Sequence, residues 1–109
     1  MATLSVQIAV LAGLTPVYSA CAAGGDEFAN SGREVIHVKN GHTAPWTVTA
    51  NSQAICSQGY DHDAAVVVTN AQERIIGPFP KARFDDANAK VQLTYSGVTA
   101  LTIAVIRVP

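Results

Sequence analysis

Apolar and polar residues alternate along most of this chain with a period of two, and the alternation stops at glycine, proline and asparagine. Thr3 to Val10 sets Leu4, Val6, Ile8 and Val10 against Ser5, Gln7 and Ala9, which predicts a half-buried strand. Gly13-Leu14-Thr15-Pro16 turns the chain, and Val17 to Ala23 is weakly patterned and extended. Phe28 lies between the loop signals Gly24-Gly25-Asp26 and Asn30-Ser31-Gly32, placed to plug one end of a core. Glu34 to Lys39 and Trp46 to Ala50 alternate on either side of Asn40-Gly41-His42, so Glu34–Ala50 is predicted to be a hairpin, its loop lengthened to take in Thr43-Ala44-Pro45.

A polar stretch, 51–63, separates these from Ala64 to Thr69, in which Val66-Val67-Val68 is continuous. Asn70-Ala71 marks a turn before Gln72 to Ile76, and Pro78-Phe79-Pro80-Lys81 forms a stiff extended exit. Arg83 to Asn88 reads as a helical turn or Asx loop. Lys90–Ser96 and Leu101–Val108 follow as two strands split at Gly97. The sum is an all-β, single-domain antiparallel β-sandwich or small barrel of about seven strands with no substantial helix. It spans residues 1–109, with 1–25 serving as an extended N-terminal arm or an edge strand.

Composition adds one constraint. The chain is 49% hydrophobic and only 14% charged, against about 25% charged in an average domain. A surface so poor in charge suits contact with a partner. The net charge of −1 and the scattered basic residues argue against direct nucleic-acid binding. The apolar start has the outline of a signal peptide with a lipoprotein-like Cys21. However, no Lys or Arg precedes Arg33, Tyr18 occupies the position three before Cys21, and Gly13 and Pro16 interrupt the run. Export and a membrane span are therefore not expected.

Candidate chemistry is sparse. Cys21 and Cys56 are too few and too far apart for a zinc site. They are buried small hydrophobes, an intrachain disulfide, or bridges between neighbouring copies. Asp61-His62-Asp63, with His37 and His42 elsewhere, is the one cluster of metal-type ligands. Neighbouring residues in an extended loop diverge, so a solvated loop is expected and no metal. Asp85-Asp86 reads as a turn pair. No Gly-x-Ser-x-Gly elbow and no phosphate loop occurs, and Cys56 with His62 makes poor nucleophile geometry. No catalytic residue, cofactor or enzymatic activity is assigned. Trp46 and Tyr60 leave a secreted carbohydrate-binding module as one alternative.

Several phrases recur in a telling succession: Ala22-Ala23-Gly24-Gly25-Asp26 with Phe28, then Val35 to Asn40, then Arg74-Ile75-Ile76-Gly77-Pro78-Phe79, then Val91 to Ser96 and on to Val105-Ile106-Arg107-Val108. Through most of its length the chain resembles small β-rich structural proteins of tailed bacteriophages, of the capsid decoration or cement kind. Each phrase alone is a generic strand and turn, and the two cysteines lie outside the pattern. The resemblance implies a virion protein on the outer surface of the assembled head. It would be made in the host cytoplasm, with the major capsid protein as partner and self-association as a trimer or other symmetric oligomer. A head–tail connector or tail component is the alternative. Within that role Leu4, Val6, Ile8 and Val10 are the candidate partner-contact arm, unless Thr3–Val10 is merely the first sandwich strand.

Overall fold

The computed structural model describes residues 1–53 and 63–109. The strands are β1 (Ala2–Thr3), β2 (Val6–Ile8), β3 (Ser19–Ala20), β4 (Asp26–Ala29), β5 (Glu34–Asn40), β6 (Trp46–Ala50), β7 (Ala64–Val68), β8 (Glu73–Ile76), β9 (Lys90–Tyr95) and β10 (Leu101–Arg107), with one helical turn, α1 (Lys81–Phe84). They form two facing sheets. One has the order β1-β4-β9-β6-β7; the other has the order β2-β10-β5-β8, with β3 also paired to β10. The chain is all-β, as its alternation predicts. The eight strands from β3 to β10 pair antiparallel throughout and have jelly-roll connectivity: β4-β9-β6-β7 faces β3-β10-β5-β8.

Three details differ from the sequence expectation. The expected first strand is two. Thr3 lies beside Glu27 in the first sheet, and by Val6 the chain has crossed to lie beside Val105 in the second. Both of these short ladders are parallel, so the sheets are mixed rather than purely antiparallel. The strands number ten among the described residues, rather than about seven, because the N-terminal segment breaks up and Asp26–Ala29, read as loop, pairs with β9.

The third difference is the most consequential. Glu34–Ala50 is no hairpin: β5 and β6 lie in opposite sheets. Asn40 makes the crossing possible. Its buried amide donates to Ala44 O (2.9 Å) and Val68 O (3.0 Å), and its Oδ1 accepts from the His42 N–H (2.9 Å). These bonds satisfy the polar groups that an arch would otherwise leave unpaired inside the sandwich. The same change of sheet occurs between β7 and β8 and between β9 and β10, so each pair of strands adjacent in sequence there contributes one strand to each layer.

One core joins the layers. Phe28, Ile36, Val38, Val48, Val68, Phe79, Val91, Leu93, Leu101, Ile103 and Val105 are buried together. Phe28 meets Phe79 edge-on at 5.7 Å, and Phe79 meets Phe84 at 5.4 Å. The expected plug role of Phe28 holds. Around this aromatic end, Asn30 donates to Phe79 O and Asp85 Oδ1, and Lys81 Nζ bridges Asn30 O and Asp85 Oδ2. Asp86 closes the adjoining Asx loop, with its carboxylate accepting from Gln92 and from the backbone of Asn88 and Lys90, which holds its pKa below the ordinary value.

Among the described residues Glu34, wholly buried at the start of β5, is the one full charge sealed in this end. Its carboxylate accepts from Arg107 Nε (2.6 Å), the Ser31 N–H (2.7 Å) and hydroxyl, and the Arg33 N–H (3.1 Å). Burial raises its pKa. The bonds from Ser31, Arg107 and Arg33 outweigh burial and hold it at about 2. Because the folded value lies below the ordinary glutamate value of 4.5, the carboxylate stabilises the fold fully above that pH. That stabilisation is lost as pH falls toward 2. Thermal stability is therefore expected to fall across this window, and E34Q to flatten that acid limb while lowering stability at pH 7. E34A, which strands Arg107 and two N–H groups, should cost about 3–5 kcal/mol in a denaturant titration.

Candidate partner-contact surface

The N-terminal segment is an edge element of its own sandwich. Between β1 and β2, the Leu4 N–H donates to Glu27 O (2.8 Å), and Leu4 and Val6 pack against the core. These two of the four candidate contact residues are consumed by folding. Ile8 and Val10 are 48% and 57% exposed, and Leu11, not singled out from the sequence, is fully exposed. The split falls between Val6 and Ile8, at the end of β2; the crossing at Ser5 leaves Leu4 and Val6 both against the core.

The segment beyond β2 is a pinned loop. A turn closes with the Gly13 N–H donating to Val10 O (2.9 Å), and the positive φ of +97° at Gly13 suits a residue without Cβ. The return strand is tied down by the Gln7 amide, whose Nε2 donates to Val17 O and whose Oε1 accepts from the Val17 N–H, both at 2.8 Å. Next to it the Tyr18 hydroxyl lies 2.6 Å from His37 Nδ1, and Lys39 Nζ sits 4.1 Å from the centre of the Tyr18 ring. His37 Nε2 lies 2.9 Å from Glu73 Oε1 on β8. The apolar tip of the loop, Val10–Leu11, is thus carried on a fixed base. Ile8, Ala9, Val10, Leu11 and Pro109 line one shallow groove beside it, and Val108 is exposed as well.

The other candidates have structural roles or lie outside the described residues, as Cys56, Tyr60, Asp61 and His62 do. Among the described residues no three His, Cys, Asp or Glu side chains come together as a metal site. Asp63 accepts from the Ser52 N–H. Trp46 is enclosed: His42 stacks on it at 5.0 Å and 2°, its Nε1 donates to Thr99 O, and Gly97 presses against the ring. A Cβ on Gly97 would come within 2.2 Å of the indole. G97A is therefore expected to displace Trp46, seen as a red-shifted tryptophan emission and a lowered melting temperature.

Cys21 is a buried free thiol beside Tyr95 and Asp26. Burial pushes it up to about 12, against a partial offset from the Tyr95 hydrogen bond, and the Asp26 charge adds to the rise. Tyr95, donating to Asp26 Oδ2 at 2.7 Å, is raised above its ordinary range by burial and by these same two neighbours. A thiol so situated packs as a small hydrophobe and is a poor nucleophile. In a C56S variant, native Cys21 should react with a disulfide reagent at least about tenfold more slowly than after unfolding, because it is buried and its thiolate fraction is small. Equal rates would show that the site is open.

No protein-family model, curated protein or solved structure shows significant similarity to this chain.

Proposed function

We propose that this chain is a structural protein of a tailed-bacteriophage virion, a capsid decoration protein that binds the outer surface of the assembled head. The observation that carries the reading is the exposed apolar tip Ile8–Val10–Leu11, held on a fixed loop and flanked by Val108 and Pro109. Large apolar side chains grouped on a small, weakly charged surface mark a contact site. Holding that site rigid in advance spares a partner the entropy of ordering it. The jelly roll adds an analogy of fold alone, since this architecture recurs in viral shells and in lectins.

A decoration subunit needs no chemistry. It stabilises a shell by binding the assembled lattice more tightly than its separated parts, and the gain grows with occupancy. The partner is the major capsid protein, met through the tip and the edge strand that supports it.

Two measurements test this. The first is copy number in purified particles by quantitative mass spectrometry. One chain per shell subunit, or per few, is expected; a handful of copies would favour a connector or tail component, and complete absence would remove the virion reading. The second is sedimentation with emptied shells. V10S/L11S is expected to weaken binding at least about tenfold, because two exposed aliphatic anchors lose their burial. Binding unchanged in that variant would place the contact elsewhere.

A further inference from the structure

The four outer edges of the two sheets are not equally protected. β1 and β3 are two residues long. β2 is bordered by the Gln7–Val17 clasp. β8 carries Glu73 and Arg74 and runs into Gly77-Pro78. Short edges, charges and proline are the usual devices that prevent strands from pairing with strangers. Among the described residues β7 has none of them. It reads Ala64-Ala65-Val66-Val67-Val68 and ends its sheet, with Ala65 exposed and Val67 52% exposed.

The hydrogen-bonding direction along this edge can be worked out. The Ser96 N–H donates to Thr47 O, and the Thr47 N–H donates to Ser96 Oγ, so the backbone of Thr47 faces β9. The alternation of a strand then turns Trp46, Val48 and Ala50 toward β7, where they oppose Val68, Val66 and Ala64. The backbone N–H and C=O groups of Ala65 and Val67 consequently point away from the sheet, along an edge with which no described strand pairs.

We infer that β7 is a self-association edge and that its occupant is β7 of a second copy of this chain, antiparallel across a two-fold axis at Val66. That register sets Ala65 opposite Val67 of the partner copy, and Val67 opposite its Ala65. Both are the residues with outward backbone groups, so each pair exchanges two hydrogen bonds. On the outer face, the small Ala65 side chain meets the larger Val67 twice, and no charge is brought opposite a like charge. The edge is complementary to itself, as an isologous dimer requires. The two five-stranded sheets join edge to edge. One strand pair buries less than the ~1,000 Å² expected of a stable interface, so the dimer is weak and depends on concentration. This inference is independent of the virion reading and of the apolar tip.

The test is sedimentation equilibrium of the full chain across about 10 µM to 1 mM, the range where weak association registers. A monomer–dimer equilibrium is expected. V67P removes only an outward N–H, which an edge strand tolerates; it should weaken dimerisation at least about tenfold with an unchanged circular dichroism spectrum. V67K serves as a second variant, placing two lysines at the joint, and should do the same. Amide exchange at Ala65 and Val67 should slow as concentration rises in the wild type and not in V67K. A wild-type chain that stays monomeric throughout overturns the inference. So does a dimer that V67P and V67K leave intact but L11S dissolves.

Discussion

The ladder between β5 and β10 is the constraint on which the remaining structure depends. It runs in register from Leu101 opposite Asn40 to Arg107 opposite Glu34, the longest pairing in the molecule. On its far sides β10 holds β2 and β3, and β5 holds β8. The two strands come from distant parts of the chain, so forming them closes a long loop and its entropic cost is met only when the core beneath them assembles. The Arg107–Glu34 contact, 73 residues apart in sequence, locks one end of that ladder, and Asn40 locks the other. Losing either frees an arch and exposes polar groups that the fold has already taken from water.

Rigidity and exposure are distributed unevenly around this frame. The aromatic end is held by Asn30, Lys81, Asp85 and Asp86, each with several bonds. At the opposite end Trp46 is enclosed between His42 and Gly97. Among the described residues, two titratable groups that the sequence suggests for chemistry are absorbed in this scaffolding: His37 joins Tyr18 to Glu73, and Cys21 fills the core. Among the described residues, large apolar side chains stay exposed at Met1, at Ile8, Val10, Leu11, Val17 and Val108, at Ile75 on β8 and at Val67 on β7. Of these, the tip at Ile8, Val10 and Leu11 and the β7 edge at Val67 are the two surfaces proposed for association.

Much of this is legible from residue pattern alone. Alternation locates β5 through β10 to within a few residues, Phe28 reads correctly as a core plug, and an Asx loop forms within Arg83–Asn88, while the helical turn begins at Lys81, inside the expected extended exit. The candidate contact segment is legible in part, since Ile8 and Val10 are exposed while Leu4 and Val6 are not. Leu11 escapes because it belongs to a turn and to no periodic run. The period-two pattern is silent on such positions, although a leucine beside Ala12-Gly13 is a usable signal for an exposed turn.

Periodicity is a property of one strand and its two faces, so it decides where strands form and which side of each is apolar. It carries no information about the neighbour. Glu34–Lys39 and Trp46–Ala50 alternate as a hairpin would, yet arch across the core because Asn40 can bond Ala44 and Val68 only once β7 is in place. Thr3–Val10 alternates as one strand, yet divides at Ser5 because Glu27 and Arg107 offer partners in different sheets. Local pattern thus sets the strands, their apolar faces and the all-β class. Strand order, the parallel N-terminal ladders and the choice of which apolar residues stay in water arise only from contacts between residues far apart in the chain, where burial and backbone hydrogen bonding have to be satisfied together.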